Sequence, residues 1–442
     1  MFRRISAALI SILMLTSASA LAAPVDPPTV TDSLDPGESL TVAKTVHTPA
    51  IPPRPDIMFL ADTTFSMNAA LGNVKTNATS IMNTVRLAQA DSQFGAANYQ
   101  DFNCDPAPYT LNQAITASIP AAQAGINAWT LGNGCDTPEA QVNALYQLAT
   151  SPATGWRTGS TRIIAWFGDA TGHDPSNGHT LLQAIAALQA EHIAVIAVPV
   201  SGGGDGLDNT GQATAVTTAT GGVLLPAATP AQVSNAILTG LSNLPVTVTW
   251  TASCDAGLSA TLSPASVTVT SGTDASFTET ITVASSATQG ATLHCTVQFL
   301  LNGQPATGFT ESITIGVNDV TLPKAMCEAT NNPSGNNVPT AGANPKSGQN
   351  PDGFYVLSAS DNVTGSPRIF VRDSGSSFVA GPYTSGTTIK LVQAPGATPN
   401  VKPGAGVIDW KITLNGDAII TAVDGSGNIS AAATCNVPPP PK

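Results

Sequence analysis

Asp62, Thr64 and Ser66 stand at alternate positions just after a continuous apolar run, Ile57 to Ala61. Asp62 supplies a carboxylate, and Thr64 and Ser66 supply neutral hydroxyl oxygens. In a tight loop, positions i, i+2 and i+4 can converge on one point. Oxygen donors of this kind suit a hard divalent cation and not a soft one. The plainer alternative is a helix cap, with Thr64 or Ser66 accepting from the first turn of the helix that follows.

The elements that must position these residues read as alternating strands and helices. Ile57–Ala61 has the unbroken apolar character of a parallel strand covered on both faces. Leu71, Val74, Ala78, Ile81, Val85 and Ala88 then recur at helical spacing. Residues 94–99 read as a strand leading to Asp101-Phe102-Asn103-Cys104, and residues 120–129 as a helix. In the loop 133–139, Pro138 and Glu139 read as the first turn of a further helix, with Val142, Leu145, Tyr146 and Ala149 as its apolar face. Residues 162–170 form a second buried strand ending in Gly168-Asp169-Ala170. A helix over 182–191, a strand over 193–198 and helices over 212–220 and 229–241 complete the pattern. The alternation predicts a doubly wound, Rossmann-like parallel α/β domain over 56–244. Asp62 and Asp169 then lie at carboxyl ends of strands, where open α/β sheets bind ligands.

Asp-x-Thr-x-Ser-Met after a buried strand resembles the metal-ion-dependent adhesion site (MIDAS) of von Willebrand factor A (VWA) domains. Asp136-Thr137-Pro138-Glu139 before a helix, Gly155-Trp156-Arg157, and the strand ending in Gly168-Asp169-Ala170 resemble the integrin β-chain variant. The resemblance spans nearly the whole α/β region. It implies that Asp62, Thr64 and Ser66 form a first metal loop. Glu139 would be the ligand from a second loop and Asp169 from a third, directly or through water. Mg²⁺ is the implied cofactor, with Ca²⁺ or Mn²⁺ as alternatives. Asp101 and Asp136 would stand where that family holds a neighbouring second Ca²⁺; flanking carboxylates also serve as helix caps. One departure matters. Integrin β chains carry acidic residues just after the first loop, whereas Asn68, Ala69 and Ala70 follow here. The adjacent regulatory ion is therefore not expected.

The rest of the chain reads as exported and β-rich. Arg3 and Arg4, an apolar run from Ala7 to Leu15 and the small residues up to Ala22 predict a signal peptide over 1–22. The run is too short to span a bilayer comfortably, and no later stretch reaches transmembrane length. Residues 23–55 are Pro-rich with one alternating strand, Ser39 to Val46. That strand either pairs with the β-domain that follows the α/β unit or runs as a linker. Short alternating strands predict a β-sandwich over 245–320 and an immunoglobulin-like β-domain over 321–436, ahead of a Pro-rich tail at 437–442. Consecutive pairing of the six cysteines keeps each bond within one domain: Cys104 with Cys135, Cys254 with Cys295 as an inter-sheet bridge, and Cys327 with Cys435. The turn Asp424 to Asn428 is either a hairpin turn or a Ca²⁺ loop.

Composition excludes some functions. A net charge of -12 leaves no basic patch to neutralise phosphates, which excludes nucleic acid as a partner. There is no H-E-x-x-H, no G-x-S-x-G and no phosphate-binding glycine loop. A Ser66/His173/Asp169 triad can be drawn, but Ser66 is better used as a metal ligand. The expectation is a secreted, metal-dependent adhesion module, periplasmic, released or held at the cell surface, whose cation coordinates an acidic side chain of a protein partner. The alternatives are a structural extracellular protein whose metal site is non-functional or purely stabilising, and an accessory subunit of an exported enzyme.

Overall fold

In the computed structural model, which describes residues 23–102, 105–201, 203–330 and 353–435, the first apolar run becomes the middle of a six-stranded sheet. Its strands are β1 (Pro55–Asp62), β2 (Gln93–Tyr99), β3 (Tyr109–Thr116), β4 (Thr161–Gly168), β5 (Ile193–Pro199) and β6 (Val223–Leu224), in the order β3-β2-β1-β4-β5-β6. Neighbours are parallel except at the β2–β3 edge. That antiparallel edge corrects the all-parallel expectation. Tyr109–Thr116 mixes apolar residues with Thr110, Asn112, Gln113 and Thr116 and is half-buried throughout, so it carries no continuous apolar run.

Helices α1 (Asn68–Ala88), α2 (Ile119–Asn127), α3 (Gln141–Thr150), α4 (Leu181–Ala190), α5 (Gln212–Thr220) and α6 (Val233–Leu241) cover both faces. Ile57 and Phe59 of β1 pack with α1, α2 and α6, while Met58 and Leu60 pack with α3, α4 and α5. All four side chains are fully buried. Burial of each contributes roughly 1.5–3 kcal/mol, which explains why the strand is apolar on every residue. Helix α3 starts at Gln141, with Ala140 at its cap. The expected start at Pro138 and Glu139 is therefore corrected; those residues belong to the preceding loop.

Strands before and after the α/β unit share sheets. Ser39–His47 pairs antiparallel with Asp274–Val283, and Thr29–Leu34 pairs parallel with Gln304–Val317. The strand Ser39–His47 is thus not a linker. Val25–Asp26, Ser39–His47, Asp274–Val283 and Leu258–Ser263 form one sheet; Ser266–Thr270, Pro245–Cys254, Thr292–Leu301, Gln304–Val317 and Thr29–Leu34 form another. The two sheets enclose one apolar core that includes Val46, Phe277, Phe299 and Ile313. Cys254 and Cys295 are bonded, but as direct partners on adjacent strands of a single sheet. The inter-sheet bridge expected there is corrected to an in-sheet one, because alternation shows which face a cysteine takes but not which strand lies beside it.

The last described segment adds a five-stranded and a four-stranded sheet around a separate core, closed by the Cys327–Cys435 bond. The turn at Asp424 is self-satisfied: its carboxylate accepts from Ser426 N, Asn428 N and Asn428 Nδ2. The leader 1–22, Cys104, residues 331–352 and the tail 437–442 lie outside the described residues. None of the described helices is long and apolar enough to cross a membrane.

Arg157 ties the base of the α/β unit together. Its Nη2 lies 2.7 Å from Asp56 Oδ1, its backbone N–H donates to Asp56 Oδ2 at 2.9 Å, and its Nη1 pairs with Asp91. The Asp56 side chain, at the start of β1, is wholly buried. The guanidinium holds the Asp91 carboxyl below its ordinary range. Removing one partner of a buried pair strands the other, at roughly 3–5 kcal/mol. Arg157→Met should therefore lower the unfolding free energy of the α/β unit by about 3 kcal/mol in urea titrations. The double variant Arg157→Met/Asp56→Asn should recover part of that loss.

Candidate metal centre

Three loops meet over the carboxyl edge of the sheet. The first leaves β1 at Asp62, which is completely buried. Asp62 Oδ1 accepts from Thr64 N at 2.9 Å and from Thr64 Oγ1 at 2.7 Å. Ser66 Oγ donates to Asp169 Oδ1 at 3.1 Å, joining the first loop to the third. Neither the short 3₁₀ turn Phe65–Met67 nor α1 has a side-chain cap. The capping role considered for Thr64 and Ser66 is thus not what their hydroxyls do.

Glu139 enters on the second loop. Its N–H donates to Thr171 O at 2.8 Å, and its carbonyl accepts from His173 N at 3.0 Å, so the second and third loops are laced together. The Glu139 carboxyl and the Thr64 side chain both border Gly134. Asp62, Thr64, Ser66, Glu139 and Asp169 are therefore brought together. Two buried oxygens in this group, Asp62 Oδ2 and Glu139 Oε2, have no hydrogen-bond donor. Burial drives the Asp62 carboxyl up from 3.8 to about 7, with the Asp169 charge adding to the rise. Burial, then the charges of Asp62 and Asp101, drive Glu139 up from 4.5 to about 9. Asp169 is also raised, chiefly by burial.

Orphaned buried acceptors, crowded acidic groups and hydroxyl oxygens whose lone pairs remain unused are the donor set of a hard cation site. The oxygens of Asp62, Thr64, Ser66, Glu139 and Asp169 are of the type a hard cation takes, and no soft ligand stands among them.

Asp101, Asp136 and His173 form a second group, whose ligand atoms lie within 4.8 Å of one another. His173 Nε2 is 3.3 Å from Asp101 Oδ1 and 3.5 Å from Asp136 Oδ1. The imidazole therefore faces these two carboxylates and makes no bond to Ser66 or Asp169, so the triad drawn above is not assembled. Cys135, beside Asp136, is disulfide-bonded.

Several positioning residues escape a reading by motif. Asp105 accepts from Asn133 N and Gly134 N and so shapes the second loop. Asp205 accepts from Thr171 N at 2.9 Å and Thr171 Oγ1 at 3.1 Å, and Gly204 N donates to Asp169 Oδ2 at 3.0 Å. The signal for these last two was their place after β5, at a carboxyl end. A side chain at Gly203 would collide with the Asp169 carboxylate and Ser66 Cβ, and one at Gly168 with the Tyr99 hydroxyl. Tyr99, itself buried, accepts there from Trp166 Nε1 at 3.0 Å.

Residues 29–306 match the family described as integrin beta-like protein A-E, vWA-like. The chain belongs to this VWA family. The match includes strands of the flanking sheets as well as the α/β unit. A VWA-like fold suggests a protein-interaction or adhesion module. Among solved structures, the chain is similar to a von Willebrand factor type A protein from Catenulispora acidiphila, at 10% identity and a TM-score of 0.36, covering 66% of this chain and 72% of that one. It is also similar to proximal thread matrix protein 1 from the mussel byssus in two crystal structures, at 14% and 15% identity and a TM-score of 0.33. The match to the mussel protein covers 46% of this chain and about half (47% and 48%) of the mussel chain. No curated protein matches this chain.

The raised carboxyls of this VWA site set a pH dependence. A group whose folded pKa is raised binds more proton folded than unfolded, so its stabilisation is full at low pH and lost as pH rises. For Asp62 and Glu139 the loss runs from their ordinary values, 3.8 and 4.5, up through about 7 and about 9. In EDTA, the thermal midpoint of the α/β unit should fall by several degrees between pH 5 and pH 9, read by calorimetry. Excess Mg²⁺ should flatten that slope, since cation and protons compete for the same oxygens. A slope unchanged by Mg²⁺ would argue that the group does not hold an ion.

Proposed function

We propose that this chain is an exported, metal-dependent adhesion protein whose Mg²⁺ is held by Asp62, Thr64, Ser66, Glu139 and Asp169, with Ca²⁺ or Mn²⁺ as substitutes. The observation that supports it is the pair of buried, donor-less oxygens, Asp62 Oδ2 and Glu139 Oε2, beside hydroxyls not used as caps. The bound ion would supply a Lewis-acidic position that accepts a carboxylate from a partner protein. The chain's own residues do the rest. Burial of Asp62 keeps water from its carboxylate, Gly204 and Ser66 orient Asp169, and the Glu139 loop is held by Thr171 and His173. Ser66 stays exposed, leaving the outer side open, and Phe65 beside it is 71% exposed. An aromatic ring at the rim of a charged site offers the apolar contact that such interfaces use.

The domain reading follows the sheets: an α/β VWA unit over 56–244 inserted between strands of the 23–55 and 245–320 segments, then an immunoglobulin-like unit over 321–436. The partner is a protein ligand presenting an acidic residue, and the chain acts without catalysis.

The decisive comparison measures capture of acidic peptides from a displayed library in Mg²⁺, in EDTA, and by the Asp62→Ala variant. Enrichment of Asp- or Glu-containing peptides should appear only with wild type in Mg²⁺ and fall at least about 100-fold otherwise, the worth of a lost charged contact. Equal enrichment in all three would overturn the adhesion reading. A loss of thermal stability in EDTA with no enrichment anywhere would favour the structural alternative, because removing any ligand of the folded state lowers stability by mass action.

A lesser proposal concerns Asp101 and Asp136, as a second cation position. Ca²⁺ is the ion expected there from the resemblance, and Mn²⁺, which the same carboxylate oxygens suit, can stand in for it as a probe. Titration calorimetry should then show two sites for Mn²⁺. Asp136→Asn should remove one and leave the Asp62 site intact; a single site in wild type would dismiss the second ion.

A further inference from the structure

Three charged side chains meet in the dry interior of the first two-sheet β unit, outside the α/β unit. Lys44 lies on Ser39–His47, Glu279 on Asp274–Val283 and Glu311 on Gln304–Val317. Each takes an inward position in a strand of otherwise apolar inward residues: Val46 near Lys44, Phe277 and Ile281 around Glu279, Phe309 and Ile313 around Glu311. All three side chains are wholly excluded from solvent. Lys44 Nζ contacts Glu311 Oε1 directly, lies 3.5 Å from Glu279 Oε2, and donates to Pro27 O at 2.7 Å. Apart from the lysine and each other, the carboxyl oxygens of the two glutamates find no donor.

This arrangement is costly as an ion cluster. Two carboxylates face one ammonium, so the group cannot be neutral with all three ionised, and burial of each ion costs several kcal/mol. Burial and the neighbouring Glu311 charge push Glu279 up to about 7, so near neutral pH it can both take and give a proton. Lys44 and Glu279 belong to one sheet and Glu311 to the other. An amine, a carboxyl carbon and a proton carrier are thus held together where water does not compete.

We propose that Lys44 and Glu311 join in an intramolecular isopeptide bond across the two sheets, with Glu279 carrying the protons. Glu279 takes a proton from the Lys44 ammonium, and the freed amine attacks Cδ of Glu311. The N–Cδ bond forms, Glu279 delivers protons to one Glu311 oxygen, the Cδ–O bond breaks, and water leaves. An ammonium and a carboxylate become an amide and one water, with no oxidant, reductant or other reactant. The reaction removes two buried charges and leaves a neutral amide, which the dry core favours. Exclusion of water also protects the product from hydrolysis.

The test uses the full chain, purified, reduced and denatured. Tryptic digestion should yield a branched peptide containing both Lys44 and Glu311, one water lighter than its two unlinked components. Cleavage after Lys44 should be lost, because an acylated lysine is no substrate for trypsin. Complete cleavage after Lys44, with both peptides at full mass, would overturn the proposal and leave a buried salt bridge. Lys44→Met should abolish the branched peptide. Glu279→Gln should leave Lys44 and Glu311 in place but reduce the linked fraction at least about tenfold, as for loss of a proton-transfer group. A Glu279→Gln chain linked as fully as wild type would overturn the part assigned to Glu279.

Discussion

Asp62 is buried with one oxygen bonded twice and the other bonded to nothing. A protein places an ionisable group there only if something else supplies the missing partner, because an unpaired buried carboxylate is among the most expensive features a fold can carry. Its position follows from the sheet. β1 is covered on both faces up to its carboxyl end, so the first polar residue after the apolar run, Asp62, is itself wholly buried. The loops carrying Glu139 and Asp169 descend on the same point because β1 and β4 are parallel neighbours and because Glu139 is laced to the segment after Asp169. The carboxyls of all three acids are raised for the same first reason, burial, and neighbouring acidic charges add to it.

Much of this is legible in the sequence itself. The continuous apolar runs of β1, β4 and β5 require cover on both faces, and a carboxylate after such a run falls at a carboxyl end. Asp62, Thr64, Ser66, Glu139 and Asp169 could be named from order and spacing together with the family likeness. The half-buried edge strand Tyr109–Thr116 was not readable, since it presents no unbroken apolar run. Glu139 was misplaced into a helix for a definite reason. Pro138 and an acid are ordinary first-turn residues, but here the backbone of Glu139 is spent on Thr171 and His173, which holds it out of α3. The supporting acids Asp105 and Asp205 bond only to backbone and hydroxyl groups of distant loops, and such contacts leave no local pattern.

The β unit carries a different lesson about alternation. A period of two tells which residues face inward, and Lys44, Glu279 and Glu311 each break an inward series with a charge. Any one alone reads as a surface residue displaced by a register slip. Together they are complementary, but only the pairing of Ser39–His47 with Asp274–Val283, and the stacking of Gln304–Val317 over both, brings them to one place. The cysteines gave the opposite signal. Cys254 and Cys295 suggested a link between sheets and instead join adjacent strands of one, so the disulfide leaves the two sheets without a covalent tie.

That difference bears on how the two charged sites relate. The α/β unit leaves the β unit after His47 and returns to it at Pro245, so a pull applied at the carboxyl edge of the α/β sheet would reach the β unit through two connections. One enters a strand of the four-stranded sheet and the other a strand of the five-stranded sheet. Load shared between these connections acts to part the sheets, and the apolar core resists only by non-directional burial. Lys44 and Glu311 stand on opposite sides of that parting plane, Lys44 three residues before the end of the strand that leads to β1. As an ion pair they add little against separation once water enters, since solvent screens the charges it reaches. As an amide they would close a covalent loop around the whole inserted unit, and tension between the two sheets would be borne by the chain itself. The position of the charged trio is therefore better explained by a bond than by a salt bridge. A buried ion pair weakens a core that must resist being pulled apart, whereas a bond at the same place removes the charges and holds the sheets.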